Sequence, residues 1–276
     1  MITGTGLGEF VIPLHLKTED SSSASVSMGD RILSRSDLRS HYLLRLATNE
    51  KDLHAAQALR FVVFNLELHE GLDSSYATCR DEDPFDAVCD HLLVEDTRTQ
   101  EVVGTYRLQT GLSAASHLGY YSEQEFDFSP FESHRDRIIE LGRACVHAEH
   151  RNLAVLGLLW KGIAAYAREH KGRYMIGCSS LTSQDPALGA TMYLDLERSH
   201  LAPPAWRTLP QPSYRCSLDQ INERSPKVPK LLLAYLSLGA KICSPPAIDR
   251  DFKTIDFLTL MDLEDLPQNT VLKYLS

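Results

Sequence analysis

Two charges stand inside an apolar run that reads as a buried strand, Ile138 to Val146 (IIELGRACV): Glu140 and Arg143. A lone charge in an apolar interior is costly, so these two either neutralise each other or serve a site. Directly after them comes HAEHRNLA, then the helical stretch LLWKGIAAYAREH. Arg151, Asn152 and Ala154 therefore sit where a guanidinium meets the backbone N–H groups of a helix N terminus, a setting that welcomes a phosphate. A plain strand-to-helix crossover is the competing reading, because Ala154 stands where a phosphate loop usually has glycine.

Other chemistry-bearing residues fall on the elements that precede this strand. Asn49 can cap a helix from Glu50 to about Leu68, with Leu59, Val62, Val63 and Leu66 at helical spacing on its core face. Arg60, Phe64 and Glu67 form a second, mixed stripe beside it, which a solvated charge pair astride a surface phenylalanine would also explain. The acidic stretch from Asp73 to Asp86 is too polar for core and too long for a simple turn, so it is a candidate lid. Asp90 opens the strand HLLVED, the TRTQ turn follows, and EVVGTYRLQ carries Arg107 on the face of Thr105 and Val103; the two strands form an antiparallel hairpin.

The remaining elements frame the central strand. Residues Gly111 to Arg137 read as a loop with a short helix, and RYMIGCSSL as a strand laid parallel to Ile138–Val146 by a right-handed crossover. DPALGATMYLDLER is a helix capped by Asp185 with Pro186 at its first position, VPKLLLAYLSLGA is another that ends at Gly239, and DFLTLMDL is the closing strand.

Composition narrows the class. The chain has 276 residues, 43% hydrophobic and 24% charged, with a formal charge of −9, which fits a globular protein and argues against a nucleic-acid partner. Its six cysteines show no CxxC pair, so reduced thiols are expected. Cys145 and Cys178 have no obvious histidine partner and are poor candidates for nucleophiles. His147 and His150 lack a third ligand, so no metal is expected. No leader is visible, and the longest apolar stretch, Leu153 to Ala167, is interrupted by Lys161; membrane contact would be peripheral.

The ordered set Arg60, Phe64, Glu67, Asp90, Arg107, Glu140 and Arg143 resembles the acyl-carrier-protein-dependent branch of the GNAT superfamily, which includes acyl-homoserine-lactone synthases and N-acyl amino acid synthases. CDHLLVED, VVGTYRL, YYSEQEFDFSPF, IIELGRACV, the RN of the turn, LLWKGIAAY, GCSSL and LLLAYLSLGAKIC resemble, more closely, the L-ornithine Nα-acyltransferases that make lyso-ornithine lipid. The likeness spans roughly Arg45 to Leu266. It implies an α/β GNAT fold: a mixed, twisted sheet with helices on both faces, splayed between its two central parallel strands to admit an acyl thioester. The domain would occupy 41–266, between a tail at 1–40 and another at 267–276.

The resemblance also implies the reaction and its parts. The α-amine of ornithine would attack a 3-hydroxyacyl or plain fatty acyl thioester, giving an amide and free carrier. Glu140 is the expected base or amine-positioning group, and a backbone N–H at Gly142 the expected oxyanion donor. Strict alternation would place Glu140 and Arg143 on opposite faces, whereas a bulge at Gly142 would bring them together. Arg107 or Arg143 would clamp the substrate carboxylate, and Asp90 or Glu67 a side-chain amine. Arg60 and Phe64 complete the expected substrate-binding set.

Arg151, Asn152 and Ala154 would meet the phosphopantetheine. Coenzyme A users of the superfamily carry small residues at two turn positions, but this chain has Leu156 at the second, which favours a carrier protein's single phosphodiester over a pyrophosphate. An acidic carrier would dock on Arg135, Arg137, Arg151, Arg168, Lys171 and Arg173. No bound cofactor is implied. The expected location is the cytoplasm, at the inner membrane face where an amphiphilic product partitions. Competing readings keep the mechanism with another amino acid acceptor, exchange the acceptor for S-adenosylmethionine, or make the chain a degenerate domain that only binds acyl carrier.

Overall fold

In the computed structural model the described residues are Ser34, Arg35 and 41–266. Apart from those first two, the expected tails at 1–40 and 267–276 lie outside the described residues. Nine strands form one sheet in the order β1-β2-β3-β4-β5-β6-β9-β7, with β8 also paired to β9. They are β1 (Ser34–Arg35), β2 (Tyr42–Leu46), β3 (Asp90–Asp96), β4 (Glu101–Thr110), β5 (Ile138–Val146), β6 (Tyr174–Leu181), β7 (Lys241–Ile242), β8 (Ala247–Asp249) and β9 (Thr254–Asp262). The sheet is antiparallel except between β5 and β6. The short strands β7 and β8 were not legible from periodicity.

Among the described residues the α-helices are α1 (Glu50–Phe61), α2 (Ser75–Thr78), α3 (Gly111–Ser116), α4 (Leu153–Glu169), α5 (Pro186–His200) and α6 (Lys230–Ser237). α4 is the expected crossover helix, and Val155, Leu158, Leu159, Ile163 and Tyr166 on one side of it are buried. They pack with Leu44, Leu92, Leu108, Leu141 and Met175 of the sheet and with Tyr235 of α6. Each fully buried leucine contributes about 2 kcal/mol. The opposite face is covered by α1 and by 3-10 turns at Tyr121–Gln124 and Ser129–Arg137, whose Phe126, Phe128 and Phe131 neighbours pack on Ile138, Ile176 and Leu258.

Two expectations about the first helix need correction. Asn49 caps it as expected, accepting the Asp52 N–H at 3.0 Å, but the α-helix stops at Phe61 and a wider π-helical turn runs over Val62–Glu67. Leu59 and Val63 are buried, whereas Val62 and Leu66 are exposed. The buried face instead includes Arg60 and Phe64. An arginine can face inward here because carboxylates meet it there.

β5 and β6 are paired only at Ile138↔Tyr174, Ile139↔Met175 and Glu140↔Ile176, although both strands continue past these residues. They part after Glu140. β6 is held instead by β9 along its whole length, from Tyr174↔Asp262 to Leu181↔Ile255. Gly177 sits at the point of divergence, where a Cβ would lie 2.2 Å from the Leu141 carbonyl oxygen. Only glycine permits that approach.

Candidate active site

β4 and β5 fall out of step between Thr105↔Cys145 and Arg107↔Gly142, so Arg143 and Ala144 together oppose Tyr106. This is a bulge, and Arg143 takes the left-handed conformation at φ 49°. The extra residue follows Gly142 rather than falling on it. Its effect is the expected one: Arg143 comes to the side of Glu140, and both line the same cavity.

That cavity, about 650 Å3, passes through the gap between β5 and β6. On the α4 side its walls are apolar: Leu108, Leu141, Leu159, Trp160, Met175, Tyr235 and Met261. On the α1 side they are polar, with Glu70, Arg107, Gln109, Glu125, Glu140, Arg143, Asp249 and Asp256. Val146, Arg151 and Leu156 line its edge by the β5–α4 turn. Gly142 also lines it, with open space where a Cβ would be.

Glu140 is buried and its oxygens accept the N–H groups of Tyr121 and Ser122, each at 2.8 Å. Burial raises its carboxyl above the usual range, and the two backbone donors oppose that rise. A carboxylate has about four acceptor directions, so further donors can still be received.

Arg60, Arg107 and Arg143 form a buried network with Asp81, Asp83 and Asp86. Arg60 is 0% exposed and Asp81 is 0% exposed. Arg60 Nε lies 2.8 Å from Asp81 Oδ2, out of line for a hydrogen bond, so that contact is one of charge. Arg60 Nη1 donates to Asp86 Oδ1 at 3.0 Å, Arg107 Nη1 to Asp83 at 2.6 Å, and Arg143 Nη2 to Asp83 at 2.8 Å. Burial works against the charges on Asp83 and Asp86, yet the arginines outweigh it and hold both below the ordinary carboxylate range. The Arg143 guanidinium lies over the rings of Tyr121 (4.6 Å) and Phe252 (4.4 Å). The stretch expected as a polar lid is thus buried through Asp81 and Asp86, because it carries the counter-charges of three arginines.

Other expected site residues sit elsewhere. Phe64 lines the cavity against Phe252. Glu67 is exposed and clasps Arg151, with Nη1–Oε1 at 2.5 Å and Nη2–Oε2 at 2.6 Å. Asp90 is exposed, accepts from the Tyr166 hydroxyl at 2.8 Å, and stands opposite Leu108; His91 is the residue opposite Arg107. Arg60, Glu67 and Asp90 do not line the cavity, Arg60 because it is spent within the buried ion-pair network. Asn152 caps α4 by accepting from the N–H groups of Ala154 (3.0 Å) and Val155 (3.1 Å), so two of the donors that could meet a phosphate are already engaged.

Of the basic residues expected to dock a carrier, Arg135 pairs with Glu132 and Glu123, and Arg173 with Asp262 and Glu264. The thiols of Cys145 and Cys178 are both pushed upward by burial. That disfavours the thiolate. His150 Nδ1 lies 2.9 Å from the Tyr42 hydroxyl. Among the described residues the one grouping with metal-ligand spacing is Glu125, Asp249 and Asp256. No helix among the described residues is long and apolar enough to cross a membrane.

Comparison with known proteins places this geometry. Residues 59–161 match the family model described as acetyltransferase (GNAT) domain. The L-ornithine Nα-acyltransferase of Brucella abortus (strain 2308) is 36% identical over 246 residues, covering 84% of this chain and 88% of that protein. The enzyme of the same name from Agrobacterium fabrum (strain C58) is 35% identical over 237 residues, covering 80% of this chain and 81% of its own. Among solved structures, the AHL synthase LasI aligns over 85% of this chain and 95% of that one, at 14% identity and a TM-score of 0.49.

Proposed function

This chain belongs to the L-ornithine Nα-acyltransferase family, and from that premise we propose that it joins a fatty acyl group to the α-amine of L-ornithine, giving lyso-ornithine lipid. The observation that carries the reading is the cavity through the parted strands, apolar on the α4 side and lined with charge on the α1 side. A fatty chain suits the first compartment and an amino acid the second. The thioester carbonyl then lies in the gap, where the α-amine reaches it from the polar side.

The amine nitrogen bonds to the carbonyl carbon, the tetrahedral oxyanion forms, and the C–S bond breaks to release the thiol with a proton. Glu140 takes the proton from the amine, directly or through a water, using an acceptor direction that Tyr121 and Ser122 leave free. Backbone N–H groups of the Gly142–Arg143 bulge receive the oxyanion, since past Glu140 the facing edges of β5 and β6 have no ladder partner in each other. Arg143, and Arg107 through its buried, unpartnered Nη2, hold the substrate carboxylate.

An acyl thioester is the co-substrate, and we favour acyl carrier protein as its bearer. The capped α4 terminus and Leu156 at the cavity edge suit one phosphodiester better than a pyrophosphate. Arg151 meets that phosphate, beside Asn152 and Ala154. The amphiphilic product places the reaction at the cytoplasmic membrane face. Purified protein supplied with 3-hydroxyacyl carrier protein and a panel of amino acids tests the assignment: ornithine should drive thiol release and yield an Nα-amide by mass spectrometry. Thiol release with no amino acid dependence would end the acceptor assignment. Glu140→Gln should slow turnover about a hundredfold or more, as loss of a general base does, while donor binding persists.

A further inference from the structure

The α1 side of the cavity holds a second buried group of charges with no ion-pair partner among the described residues, the Arg143 guanidinium bearing on Glu125 only from beyond contact. Glu125, Asp249 and Asp256 each present a carboxylate oxygen within 4.8 Å of the others, and all three residues line the cavity. They are 1%, 6% and 3% exposed, so solvent does little to screen them. No lysine, arginine or histidine among the described residues forms an ion pair with any of them. Lys253, the nearest basic residue in sequence to Asp256, is turned to Asp73.

Their placement is fixed from outside the cluster. Asp249 Oδ1 accepts the N–H groups of Asp251 and Phe252, both at 2.9 Å, and Asp256 Oδ2 accepts the Thr254 hydroxyl at 2.9 Å. Cys178 Sγ approaches Glu125 Oε1 at 3.8 Å. Glu125 and Asp256 meet each other carboxyl to carboxyl, and the buried Glu125 Oε2 and Asp256 Oδ1 receive no N–H or hydroxyl from the surrounding protein. In the same compartment the buried Gln109 amide lacks a partner at both Nε2 and Oε1, as does Arg107 Nη2. Buried polar atoms left open from several different elements, all lining one cavity, mark the outline of an absent polar ligand.

We propose that Glu125, Asp249 and Asp256 cradle the side-chain ammonium of the acceptor, so that ornithine is selected by its δ-amine. The inference rests on the acyltransfer reading above and names how that site tells its substrate from other amino acids. An ammonium offers three N–H donors in a compact head, and three carboxylates converge to accept them. A tightly held calcium needs about six to eight oxygens, whereas here the Thr254 hydroxyl already donates to Asp256 and the Cys178 thiol, a poor ligand for so hard a cation, stands beside Glu125. In the free protein the cluster keeps a proton: burial, with repulsion from Asp256 and Asp249, lifts Glu125 well above its ordinary range, and burial, with repulsion from Asp249, raises Asp256 to about 6. The arriving ammonium takes the place of that proton.

The test compares ornithine with norvaline, which has the same carbon skeleton and no δ-amine, using one acyl donor throughout. The wild type should favour ornithine in kcat/KM by about a hundredfold or more, as a site built to bind a polar group rejects an analogue lacking it. Glu125→Gln and Asp256→Asn should each lose most of that ratio through the KM for ornithine, with norvaline turnover moving far less. Ornithine without donor should raise the melting temperature of the wild type and not of either variant. Because Glu125→Gln replaces a carboxyl that keeps a proton and Asp256→Asn removes a buried charge, neither strands a charge and each variant's own melting temperature should be unchanged or higher, which separates lost recognition from lost folding. A parallel fall for both acceptors with the ratio kept would overturn the proposal. So would a melting shift given by calcium or magnesium but not ornithine, together with loss of transfer in chelator. If the wild type acylates no amino acid at all, the underlying reading falls and the cradle with it; if it acylates ornithine and norvaline equally, the reading stands and the cradle alone is refuted.

Discussion

Two clusters of buried charge, one of which reaches the cavity only through Arg107 and Arg143 while the other lines it with all three members, are built on opposite plans. Around Arg60, Arg107 and Arg143 stand Asp81, Asp83 and Asp86, sign matched to sign at ion-pair distance. Around Glu125, Asp249 and Asp256, with Glu70 on the same wall, the groups at hydrogen-bond distance from outside the set are, among the described residues, hydroxyls, backbone N–H groups and a thiol. The first cluster balances its own charge when the chain folds. The second does not, and on the proposal above the acceptor's ammonium balances it. Buried charge is therefore not in itself a sign of a ligand site; the sign is charge that folding leaves unbalanced.

The comparison breaks most visibly at Arg60. Arg60→Met removes the guanidinium but leaves Asp81 and Asp86 buried, so chemical denaturation should show a loss of about 3–5 kcal/mol. Adding Asp86→Asn to that variant should recover part of the loss, since it restores the balance at two arginines to two aspartates, Asp86 otherwise keeping only Arg107. A single-variant cost below about 1 kcal/mol would show that the self-balanced cluster is not holding this side of the fold.

Much of this was legible in the sequence, and the reason differs from residue to residue. Glu140 and Arg143 stood out because charge inside an apolar strand is conspicuous; the parallel pairing of their strand with the next followed from strand, helix, strand order, and the parting of the two from the family resemblance. Arg60 was assigned to a border stripe because the pattern offered Val62 and Leu66 as apolar alternatives. The chain chose otherwise: the Leu68 N–H reaches back five residues to the Val63 carbonyl, keeping Val63, Phe64 and Asn65 all inward. The counter-charges lie in a stretch whose polarity suggested solvent, and sequence shows a charge without showing its partner. Asp256 inside KTIDFLTLM carries the same signal that flagged Glu140. Glu70, Glu125 and Asp249 lie in irregular segments or at a short strand's end, where no periodicity points to a face.

The unbalanced region has a pH signature opposite in sign to that of the balanced one, whose Asp83 and Asp86, held low by the arginines, give up their stabilising contribution only in acid. Burial lifts Glu70 from 4.5 to about 7, with Asp256 adding to the rise and the Thr182 hydroxyl opposing it. A carboxyl raised on folding binds more protons in the native state than in the unfolded one, so its contribution to stability is full below about pH 4.5 and is lost as pH climbs through about 7. The wild type should accordingly weaken from pH 5 to pH 8, and Glu70→Gln should remove up to about 3 kcal/mol of that decline. Urea midpoints across this range measure it. An unchanged slope in the variant would mean that Glu70 titrates like an exposed acid.

The exposed pair Glu67–Arg151 sharpens the contrast at its weakest end. Here both charges are partly in water, with side chains 33% and 41% exposed, so breaking the pair should cost less than about 1 kcal/mol. Its effect belongs to the donor instead, because Glu67 occupies the guanidinium that a phosphopantetheine phosphate would need. The two truncations should then act in opposite directions: Arg151→Ala should raise the KM for carrier-borne donor several-fold, and Glu67→Ala should lower it by about two- to threefold by freeing the arginine. Steady-state kinetics at fixed ornithine and low salt separate the cases. If both truncations raise KM alike, the pair acts as a brace for the β5–α4 turn, and the donor's phosphate must be met by other groups.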